Sequence, residues 1–322
     1  MQTRPPAMSP AFTLIEMAIV LVVIGIAMTM VLSTGSAMLD SQKRQTVRAR
    51  LDAIDTAMAN FVAVNKRLPC PADGRIVSGA ATAGVELVSA GPNPAAGSCN
   101  PLTQLHGVVP WVTLGLTEND TTDPWFARLT YRVDPPLAAA APQPPLMNMS
   151  HCDPSSTGVV GAGGICRVPT LPCTGNANCT SPANFLAGKG LDVWDGLNGA
   201  AGWTARQNNS TTGKGAAYVV ISHGPSGAGA YNGKIDTLQP GTVPLGKDLE
   251  EQNANGQVLA KPATQANTYR DAPLNDNEKL FVVMPPVMPA PPARTESHFD
   301  DYLSHPTIMT VLNRAQLGPR AQ

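Results

Sequence analysis

One carboxylate stands at the edge of the longest uncharged apolar stretch of this 322-residue chain. Glu16 is followed by residues 17–32 (MAIVLVVIGIAMTMVL), and residues 12–15 extend the run on its other side. A run of that length spans a bilayer. A carboxylate inside it costs about 2 to 3 kcal/mol near the bilayer centre, so it is retained for a function and needs a partner. Cutting the chain between Ala11 and Phe12 would supply one, because the new amino group of Phe12 is a cation at the same depth. The chemistry implied is charge pairing in an apolar setting.

Six cysteines, Cys70, Cys99, Cys152, Cys166, Cys173 and Cys179, form the second reactive set, and none lies in the first 69 residues. An even number in a loop-rich region fits disulfides; six thiols allow 15 connectivities, and Cys173 with Cys179 or Cys152 with Cys166 would close short loops. Zinc is the rival reading, but the chain has no C-x-x-C pair and only His151 adjoins a cysteine. Disulfides place the region in an oxidising compartment, a periplasm or the cell exterior.

The enzyme-like patterns are incomplete. Gly224-Pro-Ser226-Gly-Ala228 lacks the last glycine of a nucleophile elbow, and Gly227-Ala-Gly229-Ala-Tyr-Asn232 lacks the third glycine of a dinucleotide loop. His106, His151, His223, His298 and His305 show no paired spacing and read as surface or hydrogen-bonding residues. No catalytic activity is expected. The net charge of −1 provides no basic field, so nucleic acid is not expected as a partner.

The segment Ala11-Phe12-Thr13-Leu14-Ile15-Glu16, with the apolar run behind it, resembles the class III leader of type IV pilins and type II secretion pseudopilins. Ala11 stands where that family usually has glycine, and the leader MQTRPPAMSPA holds one basic residue, Arg4. The resemblance implies removal of residues 1–11 by a prepilin peptidase, which also methylates the Phe12 amine. It implies that Glu16 guides assembly by meeting the N-terminus of a neighbouring subunit. Partners would be other pilin or pseudopilin subunits, the prepilin peptidase/methyltransferase, an inner-membrane assembly platform and, before assembly, the membrane itself. Lys43, Arg44, Arg48 and Arg50 follow the apolar run, so a simple charge count would turn the carboxyl side inward. The motif and the cysteines require the head outside: a single-pass precursor of the bacterial inner membrane, then a pilus or pseudopilus. Asp123-Pro124-Trp125 with Tyr131 is similar to a segment of the major pseudopilin, with Phe126 and Ala127 in place of its Gly and Asn. In those pseudopilins a loop after the last core strands holds calcium, and Asp236 lies in a comparable place. One carboxylate beside Gly and Asn is more often a turn residue, and no other cofactor is implied. Asp300-Asp301 is a second candidate pair, or a solvated helix start.

The elements that must position these residues follow from periodicity. Val47, Leu51, Ile54, Met58 and Phe61 form an apolar stripe, and no proline occurs between Pro10 and Pro69, so one helix over 12–65 is expected. The resemblance makes 12–32 the transmembrane and filament-core segment, and 33–65 is expected to be amphipathic. With 29 Gly, 31 Pro and 5% aromatics, the remainder is rich in turns, which excludes a helical bundle. Residues 108–116 (VVPWVTLGL), 129–133 (LTYRV), 217–222 (AYVVIS) and 280–284 (LFVVM) read as strands. The fold class is α+β: a long N-terminal helix on an antiparallel sheet of about four strands, with large disulfide-pinned insertions. The globular head occupies 66–284, with 135–212 its main insertion; 285–293 is a Pro-rich connector. Residues 294–322 are a short amphipathic tail carrying Phe299, Tyr302, Leu303, Ile308, Val311 and Leu312. The expected function is that of a structural subunit, at a minor or tip position given the size of the head. The alternative is a signal-anchored binding module or adhesin.

Overall fold

The computed structural model describes residues 13–88, 99, 107–138, 146–150, 186–195, 206–227, 230–234, 280–283 and 300–319. The chain divides into two units, Met1–Thr46 and Val47–Gln322. Helix α1, Leu14–Asn65, contributes to both. In the second unit its face Val47, Leu51, Ile54, Met58 and Val62 is buried in the main core, worth about 1.5 to 3 kcal/mol per side chain. Phe61, expected on the stripe, sits at its margin under the guanidinium of Arg67, 5.2 Å from the ring centroid. The helix ends without proline or glycine: Lys66 takes a left-handed φ of +58° and its N–H donates to Val62 O at 2.9 Å.

The head is α+β. Strands β1 (Ala72–Asp73) and β2 (Gly107–Val108) lead to a helical turn α2 (Trp111–Leu114), then β3 (Thr130–Val133) and a second short turn α3 (Pro135–Ala138). Strands β4 (Asp192–Asp195), β5 (Arg206–Asn208), β6 (Tyr218–Ser222), β7 (Leu280–Val283) and β8 (Tyr302–Ser304) follow, and α4 (Ile308–Arg314) is the last described helix. The main sheet has five strands in the order β1-β2-β3-β6-β8, antiparallel throughout. Its centre pairs Tyr131 with Val220 and Val133 with Tyr218. Tyr131 and Tyr218 face the α1 core, while Val219 and Ile221 join Leu191 and Val193 in a second apolar cluster behind the sheet. Burial on both faces explains why β6 reads as a continuous apolar run rather than an alternation.

Three expectations need correction. Residues 108–116 are not one strand: Pro110 has no N–H to give a ladder, and Gly115 at φ +72° closes α2 by donating to Val112 O. The run at 280–283 does not complete the main sheet. It pairs parallel with β4 in a separate three-stranded sheet, β5-β4-β7. The edge beside β6 is instead taken by β8, from the segment expected to be only an amphipathic tail; Ile308, Val311 and Leu312 of α4 do pack into the main core.

A disulfide joins Cys70 to Cys99. It fixes the chain just after α1, where the Glu86 carboxylate accepts two bonds from Arg67, each 2.8 Å, and the Cys70 N–H at 2.9 Å. Cys152, Cys166, Cys173, Cys179 and the connector 285–293 lie outside the described residues.

Candidate functional site

The start of α1 is built by Thr13 and Glu16. The Thr13 N–H and hydroxyl both donate to Glu16 Oε2, at 2.9 Å each, and the Glu16 N–H donates to Thr13 Oγ1 at 3.3 Å. This is a capping box, two free donors at a helix end satisfied reciprocally. Within its own chain Glu16 thus has a partner three residues away. The signal was present as Thr-x-x-Glu ahead of an apolar run. Both donors converge on Oε2. Ala11 and Phe12 lie outside the described residues.

Beyond the box, eleven large apolar side chains from Leu14 to Met28 are each at least 45% exposed. Singly scattered apolar side chains need no explanation, but a continuous surface of this kind marks a site covered by lipid or protein. Among the described residues, no helix is long and apolar enough to cross a membrane.

On the head, the solvent-facing side of α1 and the α2 turn enclose a groove of about 460 Å³. Ala53, Thr56, Ala57 and Asn60 form one helical wall, and Leu114 and Leu116 stand opposite; among the described residues no charged side chain lines it. The α2 wall rests on Arg128, whose side chain is 1% exposed. Its guanidinium lies 4.9 Å over the Trp111 ring and donates to Glu118 Oε1, Gly74 O, Ile76 O and Ser78 Oγ. Gly84 completes the support, since a Cβ there would fall 2.1 Å from the Trp111 ring. Nothing in the sequence singled out Arg128: it lies one position before the strand-like run, and its partners are two carbonyls and residues 10 and 50 positions away.

A buried polar cluster lies behind the sheet's end. Thr130 Oγ1 is 3.0 Å from His223 Nε2, and His223 Nδ1 is 3.5 Å from Asp301 Oδ1. Asp300 accepts from the Ser226 N–H at 2.9 Å and from its hydroxyl at 3.1 Å, and Asp123 accepts the Ser222 hydroxyl at 2.8 Å. The order hydroxyl, imidazole, carboxylate is that of a nucleophile relay. Yet Thr130, His223 and Asp301 are 0%, 1% and 3% exposed, so no substrate reaches them. The cluster ties β3, β6 and the lead into β8 together. Asp300 and Asp301 are therefore not a solvated helix start, because a strand follows them and both are buried. Burial pushes the Asp123 carboxyl up, opposed by its bonds from Ala127, Ser222 and Trp125. Burial likewise holds the His305 imidazole below its usual value, with Nδ1 2.7 Å from Asn208 Oδ1.

A third anchor sits on α1 itself. Asp55 accepts from the Tyr218 hydroxyl at 2.8 Å and from the Ser304 hydroxyl at 2.8 Å, with Arg314 3.7 Å away. Burial pushes its carboxyl up against these bonds. Among the described residues no group of three His, Cys, Asp or Glu side chains could hold a metal ion, and Asp236 lies outside them. Comparison of the chain with family models, curated proteins and solved structures finds no match in any of the three.

Proposed function

We propose that this chain is a structural subunit of a type IV pilus or type II secretion pseudopilus, at a minor or tip position, and not a catalyst. What carries the reading is the Ala11-Phe12-Thr13-Leu14-Ile15-Glu16 segment leading into a helix whose apolar side chains from Leu14 to Met28 stand exposed in a single copy. Such a surface needs a bilayer before assembly and neighbouring helices after it. Cleavage at Ala11/Phe12 places the Phe12 amine one residue before the capping box, where the Glu16 carboxylate of a neighbour can receive it. The α+β head, with its long helix against an antiparallel sheet, is compatible with a pilin-like fold, and the Cys70–Cys99 disulfide suits a head outside the cytoplasm.

The test is the mass of the N-terminal peptide from membrane and sheared-surface fractions of the native host. A chain that starts at Phe12 with one added methyl, present in the sheared material, is the expected outcome. An intact Met1, or retention of all the protein in the inner membrane, overturns the reading in favour of an anchored binding module.

A further inference from the structure

Asn232-Gly233 is an Asn-Gly pair, like Asn198-Gly199 and Asn255-Gly256, and it is the one that falls among the described residues. An asparagine followed by glycine is open to attack on its own side chain, because no Cβ shields the next backbone nitrogen. The fold arranges this pair for that attack. Asn232 Oδ1 accepts the Lys234 N–H at 3.0 Å, which folds the carboxamide back over the peptide joining 232 to 233 and polarises its carbonyl towards addition. Among the described residues no group accepts the Gly233 N–H, so the nitrogen gives up no hydrogen bond when it reacts. The backbone is held on both sides: the Arg128 N–H donates to Tyr231 O at 2.7 Å and the Ser78 N–H to Gly233 O at 2.8 Å. The Arg128 guanidinium lies against Gly233, where a Cβ would fall 2.7 Å from Nη2. A fixed cation beside the attacking nitrogen favours the negative charge that develops during addition. Asn232 itself is half-buried, so water reaches it.

We propose that Asn232 is a self-modification site, converting through a cyclic succinimide to aspartate and isoaspartate. The Gly233 nitrogen bonds to Asn232 Cγ and releases its proton to solvent. The bond from Cγ to Nδ2 breaks, the leaving nitrogen takes up a proton, and ammonia departs. Water then adds to one of the two ring carbonyls and opens the ring, so water is the sole co-reactant and nothing is oxidised or reduced. Opening on the main-chain side gives isoaspartate's alternative, an ordinary aspartate, when the original peptide bond is restored; opening on the other side routes the main chain through the side chain and adds a methylene. That methylene enters a segment clamped at Tyr231 O and Gly233 O, so the isoaspartyl form shifts Gly233 from its place against Arg128. The reaction is therefore a slow clock on the Arg128 network, which also holds Gly74 O, Ile76 O and Ser78 Oγ. It needs no partner and does not depend on the chain being a filament subunit.

The experiment holds the purified full chain, disulfides intact, at mildly alkaline pH and follows position 232 over time. Peptide mapping with electron-transfer fragmentation separates asparagine, aspartate and isoaspartate there. The same chain, reduced and unfolded in denaturant, gives the rate of the pair without the fold. Conversion in the folded chain at least as fast as in the unfolded one is expected, with one heavy oxygen incorporated when the water is oxygen-18 labelled. An Asn232 that stays intact, or converts more slowly folded than unfolded, overturns the proposal, because the fold then protects the pair. The isoaspartyl fraction, separated by ion exchange, should be cut by limited protease within residues 74–84 faster than unconverted chain; equal cutting overturns the link to Arg128.

Discussion

Replacing Arg128 with methionine keeps the volume of the buried stem and removes every donor at its end. The guanidinium donates to Gly74 O at 3.0 Å, Ile76 O at 2.6 Å and Ser78 Oγ at 3.1 Å, and twice to Glu118 Oε1 at 2.8 and 2.5 Å. The two carbonyls lose a buried partner, about 1 to 3 kcal/mol each. Glu118, with 29% of its side chain exposed, recovers part of its loss from water. The total is roughly 3 to 5 kcal/mol, the cost of breaking a buried charged network from one side. At about 2 to 4 °C per kcal/mol for a head of this size, the thermal midpoint should fall on the order of 10 °C. Limited proteolysis should then cut within residues 74–84, the segment that Arg128 holds. Glu118→Gln retains an acceptor but leaves the buried guanidinium without its counter-charge, so it too should be destabilising, by roughly 2 to 4 kcal/mol. If the methionine variant melts with the wild type, then Arg128 does not organise the loop and the wall of the groove, and the reasoning fails.

Asp55 provides a test with a sign. Its folded carboxyl is raised, so the folded state binds that proton more tightly, and stability present below the ordinary carboxylate range is lost as pH rises through the folded value. Asp55→Asn keeps an acceptor for Tyr218 and Ser304 and lacks this loss, so measured against wild type it should gain ground in thermal midpoint between pH 3 and pH 7; a difference independent of pH, or of opposite slope, refutes the argument. Cys70→Ser opens a loop with a sequence separation of 29, which should cost about 3.6 kcal/mol by loop entropy. Non-reducing peptide mapping should find Cys70 with Cys99, and Cys70 paired with any of the other four thiols would contradict the fold. Glu16→Gln separates the two roles of that residue, since glutamine serves in a capping box but carries no charge. Both Glu16→Gln and Glu16→Ala should leave the head folded and abolish filament incorporation, whereas normal incorporation of the glutamine variant would show that capping suffices.

Helix α1 was legible because its core stripe, Val47 to Met58, repeats at helical spacing, and β3 and β6 because each is a short β-branched and aromatic run. The failures have physical causes. Residues 108–116 have strand composition, but one proline and one left-handed glycine decide the backbone there, and local geometry outweighs propensity. Strand β8 has three residues and one of its side chains is a serine, so it carries no periodic signal; its place is set by pairing Ile221 with Leu303 and by Asp300 and Asp301 reaching Ser226 and His223. The capping role of Glu16 is readable as Thr-x-x-Glu ahead of an apolar run. Arg128 and the groove were not readable at all, since both arise from residues brought together only by the tertiary fold.

The network around Asp55 also bears on the order in which the protein can be made. Asp55 is synthesised early, on the first helix, but its partner Ser304 lies 249 residues later. Until that stretch has been made, β6 presents an open edge and the carboxylate faces an unfinished core. Contacts so distant in sequence form slowly, and open edges invite pairing with other chains in the meantime. The main sheet is therefore among the last parts of the head that can be completed, because the strand that covers the edge of β6 is also among the last to be made.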